Sequence, residues 1–319
     1  MKKVYLSVAL VAGLAVDALA QDPEFTQFYA APIYLNPAFA GTARCPRICM
    51  NYRNQWPALS GTFVTQAFSY DQHLESIYGG LGIIVTNDEA GEATLKTTTI
   101  NAVYSYNLTV SRKFSVRFGF QAGYFQRSLD WNKLTFGDMI DPRRGFVYQT
   151  NDVPRGGTVG NVDFGAGVLG YSEQFFIGFA AHHLTQPDES VIKGKSPMPM
   201  KFTGHAGAVI PITKSKYTTN DAKVSPNILF RQQGTFTQLN LGLYVSKNGL
   251  CGGVWYRNKD AFITSIGITT PHFKLGYSYD LTLSKLGTGS GGSHELSMGL
   301  NFNCKKKKRT FRTISCPSF

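Results

Sequence analysis

Apolar residues fall on every second position through most of this chain. The clearest run is 113–126, where Phe114, Val116, Phe118, Phe120, Ala122 and Tyr124 alternate with Ser115, Arg117, Gly119, Gln121 and Gly123. A strand points successive side chains to opposite faces, so this segment has one apolar side and one polar, small-residue side. The pattern recurs where Leu239, Leu241, Leu243 and Val245 lie opposite Asn240, Gly242 and Tyr244. It recurs again where Phe273, Leu275, Tyr277 and Tyr279 face away from Lys274, Gly276, Ser278 and Asp280, and where Leu296, Met298, Leu300 and Phe302 face away from Glu295, Ser297, Gly299 and Asn301. Fourteen strands are predicted, at 47–56, 62–71, 79–87, 96–107, 113–126, 158–171, 174–185, 201–211, 225–233, 236–246, 249–258, 261–269, 272–281 and 293–303. Helical periodicity is nearly absent. The reading is all-β: a transmembrane, antiparallel outer-membrane β-barrel of about 14 strands, with a lipid face and a wet lumen.

The amino end supplies the compartment. Lys2 and Lys3 form a positive n-region, residues 4–16 an apolar stretch, and Ala18-Leu19-Ala20 a small-x-small cleavage site before Gln21. The apolar stretch is too short to span a bilayer, and Gln21 at the cut is not the cysteine of a lipoprotein. The expected organisation is a signal peptide at 1–20, an N-terminal extended segment at 21–46, a barrel at 47–303 and a basic periplasmic tail at 304–319. Residues 21–46 carry Pro23, Pro32, Pro37 and Pro46 among Phe25, Phe28, Tyr29, Tyr34 and Phe39. That is too apolar to hang free, so the segment is expected to plug the lumen or pack at the barrel base. A mean hydropathy of −0.13 does not oppose a membrane location, because alternating faces cancel in an average.

The connections order the barrel. Outer-membrane barrels have short periplasmic turns and long outer loops. With the first strand starting in the periplasm, the long connections at 127–158, 185–200 and 281–292 are all odd-numbered and therefore external. The even ones include tight turns at 171–174, 246–249 and 269–272, with 211–224 the one longer exception. Both termini are expected in the periplasm. The lumen face carries Arg53, Arg117, Arg231, Arg257, Lys274, Asp163 and Glu295, which reads as ion-paired packing or as an anion pathway.

Several patterns resemble catalytic or cofactor sites and fail on geometry. Gly165-Ala166-Gly167-Val168-Leu169-Gly170 matches the dinucleotide fingerprint by letter, but it lies inside an alternating strand with no helix after it. Ser293 and His294 are neighbours on a strand and so diverge, which denies a serine its base. His182 and His183 diverge for the same reason, and His205 stands alone. No catalytic residue, metal ligand or cofactor is expected. The net charge of +12 is partly a tail cluster, and with an export signal and no nucleic-acid motif it does not indicate nucleic acid.

Three stretches carry a family resemblance. They are Asp22-Pro23-Glu24-Phe25-Thr26-Gln27-Phe28 followed by Leu35-Asn36-Pro37-Ala38-Phe39-Ala40-Gly41; Leu134-Thr135-Phe136-Gly137-Asp138-Met139-Ile140-Asp141 with Gly145-Phe146 after it; and Gly292-Ser293-His294-Glu295-Leu296-Ser297. In this order they resemble the PorP/SprF family of membrane proteins. The resemblance implies an outer-membrane component of the Bacteroidota type IX secretion system, with no enzymatic activity. Its implied partners are outer-membrane lipids and a secreted surface protein or machine proteins, periplasmic lipoproteins included. Roles in surface attachment and gliding motility follow for some members. The alternative is a diffusion channel or hydrophobic-solute transporter, which a plugged lumen would disfavour.

Within that reading the longest loop supplies the partner-binding candidates: Trp131, Phe136, Met139, Phe146 and Tyr148 as apolar anchors, with Asp138, Asp141, Arg143 and Arg144 around them. Lys305, Lys306, Lys307, Lys308, Arg309 and Arg312 form a basic cluster for anionic headgroups or an acidic periplasmic partner. First and last strands are neighbours in a closed barrel, so Cys45 or Cys49 is expected near Cys304, with Cys316 a further candidate for a disulfide and Cys251 the leftover thiol.

Overall fold

The computed structural model describes residues 21–43, 45–91, 94–150, 157–191, 194–212, 222–283 and 289–303; residues 1–20, expected as a signal peptide, and the basic run 304–319 lie outside them. Fourteen strands form the barrel: β1 (Arg47–Gln55), β2 (Phe63–Leu74), β3 (Gly79–Ala90), β4 (Leu95–Ser111), β5 (Phe114–Leu129), β6 (Thr158–Tyr171), β7 (Phe175–His182), β8 (Lys201–Ala208), β9 (Lys223–Gln233), β10 (Phe236–Lys247), β11 (Leu250–Arg257), β12 (Ala261–Thr269), β13 (Phe273–Thr282) and β14 (Ser293–Asn301). Each pairs antiparallel with its neighbours in sequence, and β14 closes on β1 with Arg47 opposite Asn301 and Gln55 opposite Ser293. A closed sheet leaves no unpaired edge, which is what a membrane without water requires.

The alternation sorts as the sequence predicts. Phe118, Phe120 and Tyr124 of β5 and Leu241, Leu243 and Val245 of β10 lie exposed on the outer wall. Arg117, Asn240 and Glu295 are buried within it. An apolar outer surface this continuous exceeds what a water-soluble monomer tolerates and is the surface that lipid covers. Among the described residues no helix is long and apolar enough to cross a membrane; this chain crosses with strands.

The lumen is filled by the chain's own beginning. Where the sequence reads as extended, three helical turns form: Phe28–Ala30, Pro32–Leu35 and Pro37–Phe39. Pro32 and Pro37 open the last two, because a fixed φ suits the first helical position and no N–H is lost there. Phe25, Phe28, Ile33, Leu35, Ala38, Phe39 and Ala40 are all buried. Phe28, Leu35, Ala38 and Phe39 meet Leu169, Phe176, Leu229, Trp255 and Ile263 of the inner wall, Ile33 and Ala40 meet Ile84 and Val103, and Phe25 meets Ala67.

The direction of this thread corrects one expectation. Asp22 lies beside Lys201, which follows the long 183–200 connection, and beside Gln233, which neighbours it at the same end of the barrel. Gly41 lies beside Asp71, near the short-turn end of β2. The segment therefore runs the length of the lumen, and its first residues sit at the long-loop end, not at the short-turn end where the first residues are expected from sequence. Counting strands places the start of β1 but cannot see a thread that precedes it.

Orientation is testable by surface labelling in a Cys49→Ser, Cys251→Ser background. A membrane-impermeant maleimide should label Val147→Cys on intact cells and reach Asn248→Cys only after the outer membrane is opened. Labelling of both from outside would reverse or break the topology.

Candidate functional site: an occupied lumen and the loop above it

Three sets of contacts hold the thread, each between a main-chain or buried polar group and an inward side chain. At the short-turn end, the Ala40 carbonyl accepts from the Arg117 guanidinium at 2.5 Å and from the Ser105 hydroxyl at 2.6 Å. The Gly41 N–H donates to Asp71 at 2.7 Å, and Arg47 pairs with the same carboxylate at 2.8 Å. Gly41 has φ +70°, and a Cβ there would lie 2.7 Å from the Gly80 Cα. Only glycine meets both conditions.

Midway, Asn36 is fully buried and uses both ends of its amide. Its Oδ1 caps the following turn by accepting from the Ala38 N–H at 2.9 Å, and its Nδ2 donates to the Val168 and Phe179 carbonyls at 3.1 and 3.2 Å. Phe39 stacks on His205 with ring centroids 5.3 Å apart. The wall is thin here by necessity. A Cβ on Gly119 would fall 2.2 Å from the Ala38 nitrogen, and one on Gly167 would fall 2.1 Å from Asn36 Oδ1. The glycines that imitate a nucleotide-binding motif thus include a seat for the thread.

Toward the long-loop end the contacts become ionic. The Glu295 carboxylate accepts the N–H groups of Thr26 at 2.5 Å and Gln27 at 3.0 Å. Beside it Arg53 and Arg257 share Asp280 at 3.1 and 3.2 Å, and the Thr26 hydroxyl donates to that carboxylate at 2.8 Å. Arg231 pairs with Glu24 at 3.0 Å and lies over the Phe28 ring. Asp22 meets Lys201 at 2.5 Å and His183 at 2.7 Å, and His183 reaches Asp163 at 2.8 Å with its other nitrogen. The lumen charges on Arg53, Arg231, Arg257, Asp163 and Glu295 are therefore ion-paired.

His183 departs from the strand reading. β7 ends at His182, and His183 adopts φ +57°, which turns its ring back toward Asp22 instead of away from the lumen. Burial alone would lower its imidazole, but Asp22 and Asp163 push it up to about 9. Burial likewise opposes charge on Asp22, and His183 and Lys201 overcome this to hold its carboxyl well below the usual range. Ser293 and His294 diverge, the first buried inside and the second bonded to the Tyr277 hydroxyl at 2.8 Å on the outside.

Above the rim, the long loop folds on itself. Trp131 and Phe136 stack at 5.5 Å, and Met139 caps a turn that leads into a small hairpin pairing Ile140 with Phe146 and Asp141 with Gly145. Asp141 accepts the Arg143 and Arg144 N–H groups at 2.8 Å each and the Tyr148 hydroxyl at 3.0 Å. Trp131, Phe136 and Met139 are half-buried in the loop's own packing. The exposed apolar groups are Ile140, Phe146, Val147 and Tyr148, with Asp138, Arg143 and Arg144 exposed around them. Ile140 and Val147 were not evident from sequence.

The cysteines divide at the seam. Cys49 is a buried free thiol and Cys251 is free as well. Cys49 leaves the disulfide set because Ser69 and Gly299 face it across β2 and β14. Cys45 is disulfide-bonded. Cys304, Cys316 and the tail from Lys305 to Arg312 lie outside the described residues.

The profile of the family described as type IX secretion system membrane protein PorP/SprF matches residues 18–300. The chain belongs to this family. It is accordingly an outer-membrane barrel of the type IX secretion system, a family tied to the secretion machinery. Among solved structures it is similar to the Ralstonia pickettii toluene transporter TbuX at 10% identity, covering 86% of this chain and 94% of that one with a TM-score of 0.48. It is also similar to the Acinetobacter baumannii outer membrane protein Omp33 at 8% identity, covering 81% and 98% with a TM-score of 0.43, and to a Pseudomonas aeruginosa FadL homologue at 12%, covering 84% and 93% with a TM-score of 0.43. A comparison with curated proteins finds no match.

In this PorP/SprF protein two of the three motifs behind the resemblance are halves of one contact. Thr26-Gln27 of the opening motif binds Glu295 of the last-strand motif, while Asn36 to Gly41 fills the wall between β2 and β8. Asn36, Gly119, Asp71 and Asp280 were invisible as site residues, since their partners lie far away in sequence.

Two outcomes follow. Gly119→Ala forces backbone against backbone and should destabilise the barrel by about 1–3 kcal/mol, read as a lower unfolding midpoint in detergent. The second concerns pH. His183 has a raised folded-state pKa, so its contribution is full below about 6.5, declines as pH rises and is gone above about 9. The unfolding midpoint of the native protein should fall between pH 7 and 10 more steeply than that of His183→Gln. Equal slopes would remove His183 from the clamp.

Proposed function

We propose that this protein works by binding, as a plugged barrel that presents its long loop to a secreted protein or to the translocon and its periplasmic side to machine proteins. One observation carries the reading: residues 22–41 occupy the lumen along its length through buried, paired contacts. A channel or solute transporter needs that space, and here emptying it would strip Arg231 of Glu24, Lys201 of Asp22 and Glu295 of the Thr26 and Gln27 N–H groups, at several kcal/mol per stranded ion. The loop supports the binding side of the proposal. Ile140, Phe146, Val147 and Tyr148 form an exposed apolar tip that the Asp141 turn keeps ordered, flanked by Arg143 and Arg144. Aromatic and arginine side chains of this kind make binding hot spots.

At the other end, the basic run from Lys305 to Arg312 follows β14 directly. In this reading it lies within reach of anionic headgroups or an acidic face of a periplasmic lipoprotein. Cys45 belongs to the same seam: the Phe302 N–H donates to the Pro46 carbonyl at 2.9 Å. The reading pairs Cys45 with Cys304, with Cys316 as the other candidate.

The test is crosslinking and affinity capture from native membranes with the full chain. A secreted surface protein or periplasmic ring component should be captured, and Phe146→Asp with Tyr148→Asp should lose the external partner at least tenfold while barrel insertion is unchanged. Truncation after Cys304 should instead reduce the periplasmic partner. A large, steady conductance of the purified protein in planar bilayers, with no partner captured, would favour the channel. Non-reducing mass mapping should place Cys45 in a bridge to Cys304 or Cys316, and a free Cys45 thiol would end the seam proposal.

A further inference from the structure

A cavity of about 90 Å³ opens at the long-loop end of the lumen, and Gln21 lines it together with Asp22, Asp88, Asp163 and Glu189. Three of these four carboxylates have a cation. Asp22 meets Lys201 and His183, Asp163 meets His183, and Glu189 meets Arg127 at 2.7 Å. Asp88 is different. Among the described residues no cation lies within ion-pair distance of it: Arg127, already paired with Glu189, acts on it from further off, and its hydrogen bond is from the Thr65 hydroxyl at 2.6 Å. Arg127, His183 and Lys201 are the cations lining the cavity; His182 and Tyr34, which also face it, are counted as neutral. The four carboxylates therefore exceed the cations by one charge. A partly desolvated carboxylate gains from a partner wherever one is available.

A cation does arise beside it if the export reading of the sequence holds. Cleavage between Ala20 and Gln21 adds water across one peptide bond. The carboxylate leaves on Ala20, and the Gln21 nitrogen takes up a proton to become an α-ammonium. We propose that this α-ammonium is received by the cavity and pairs with Asp88, so that proteolytic maturation completes the charge balance of the lumen and locks the outer end of the thread. The placement is specific to the direction of the thread, which carries residue 21 to this cavity and not to the periplasm. It also gives the cut a structural role: the uncut chain has a neutral amide at that nitrogen.

The test uses the full-length protein matured in its own outer membrane and purified in detergent. Intact mass and terminal sequencing should show a chain starting at Gln21 with a free amine, not the cyclised pyroglutamate. Acylation of that amine is then followed against pH by mass spectrometry, with a peptide of the same first residues as reference. An ordinary α-amino group titrates at about 7.7–8.0. The native protein should acylate at least tenfold more slowly than the peptide at pH 8. Asp88→Asn should recover most of that rate, and Asp88→Glu should stay slow. Insertion of Gly-Ser between Ala20 and Gln21 moves the ammonium away without touching the wall, and should also give peptide-like reactivity in a barrel that keeps its heat-modifiable gel mobility. Peptide-like reactivity in the native protein, or slow reactivity unchanged in both Asp88→Asn and the insertion, overturns the pairing. A cyclised terminus overturns it too. A chain starting elsewhere overturns the cleavage reading itself, which separates the two failures.

Discussion

The Glu295 carboxylate takes two main-chain N–H groups from Thr26 and Gln27, and the remaining organisation of the lumen follows from that kind of contact. A carboxylate on the inner wall must be hydrated, paired or protonated. Here it is met by the start of the same chain, and Arg53, Arg257 and Asp280 complete the set around it. Each group is buried, so each depends on the others. The thread cannot leave without taking the N–H donors from Glu295 and the carboxylates from Arg231 and Lys201.

The inner wall is built to receive an object. Glycine at 119 and 167 brings strand backbone to within contact of Ala38 and Asn36, while Leu229, Trp255 and Ile263 interrupt an otherwise polar face to meet Phe28 and its neighbours. A water-filled pore has no use for a buried tryptophan edge-on to a phenylalanine. In the proposed reading function moves from the lumen to the ends of the barrel, where the long loop and the short turns would meet other proteins. That placement suits a component that works through contacts with a secretion machine.

The loop shows how local order and exposure divide. Asp141 spends its carboxylate on Arg143, Arg144 and Tyr148, and Trp131 spends its face on Phe136. These residues hold the shape. Ile140, Phe146 and Val147 are left to the outside because both sides of a two-residue hairpin cannot be buried in a structure this small. Composition identified the loop as a candidate surface, but which of its apolar residues face outward depends on how the turn closes.

Alternation determined the barrel, because a period of two has one solution when an even set of strands must leave no edge in lipid. Phe118 outside and Arg117 inside follow from that period alone, as do the sided lengths of the connections. Sequence also marked 21–46 as too apolar to be free. What it left open is everything that joins residues far apart: Glu295 with Thr26, Asp71 with Gly41, and Asp22 with His183, whose left-handed turn breaks the strand parity that had pointed it away. The direction of the thread is of the same kind. Local pattern fixes which side of a strand faces inward, but only closure of the barrel decides what stands inside it, and from which end it begins.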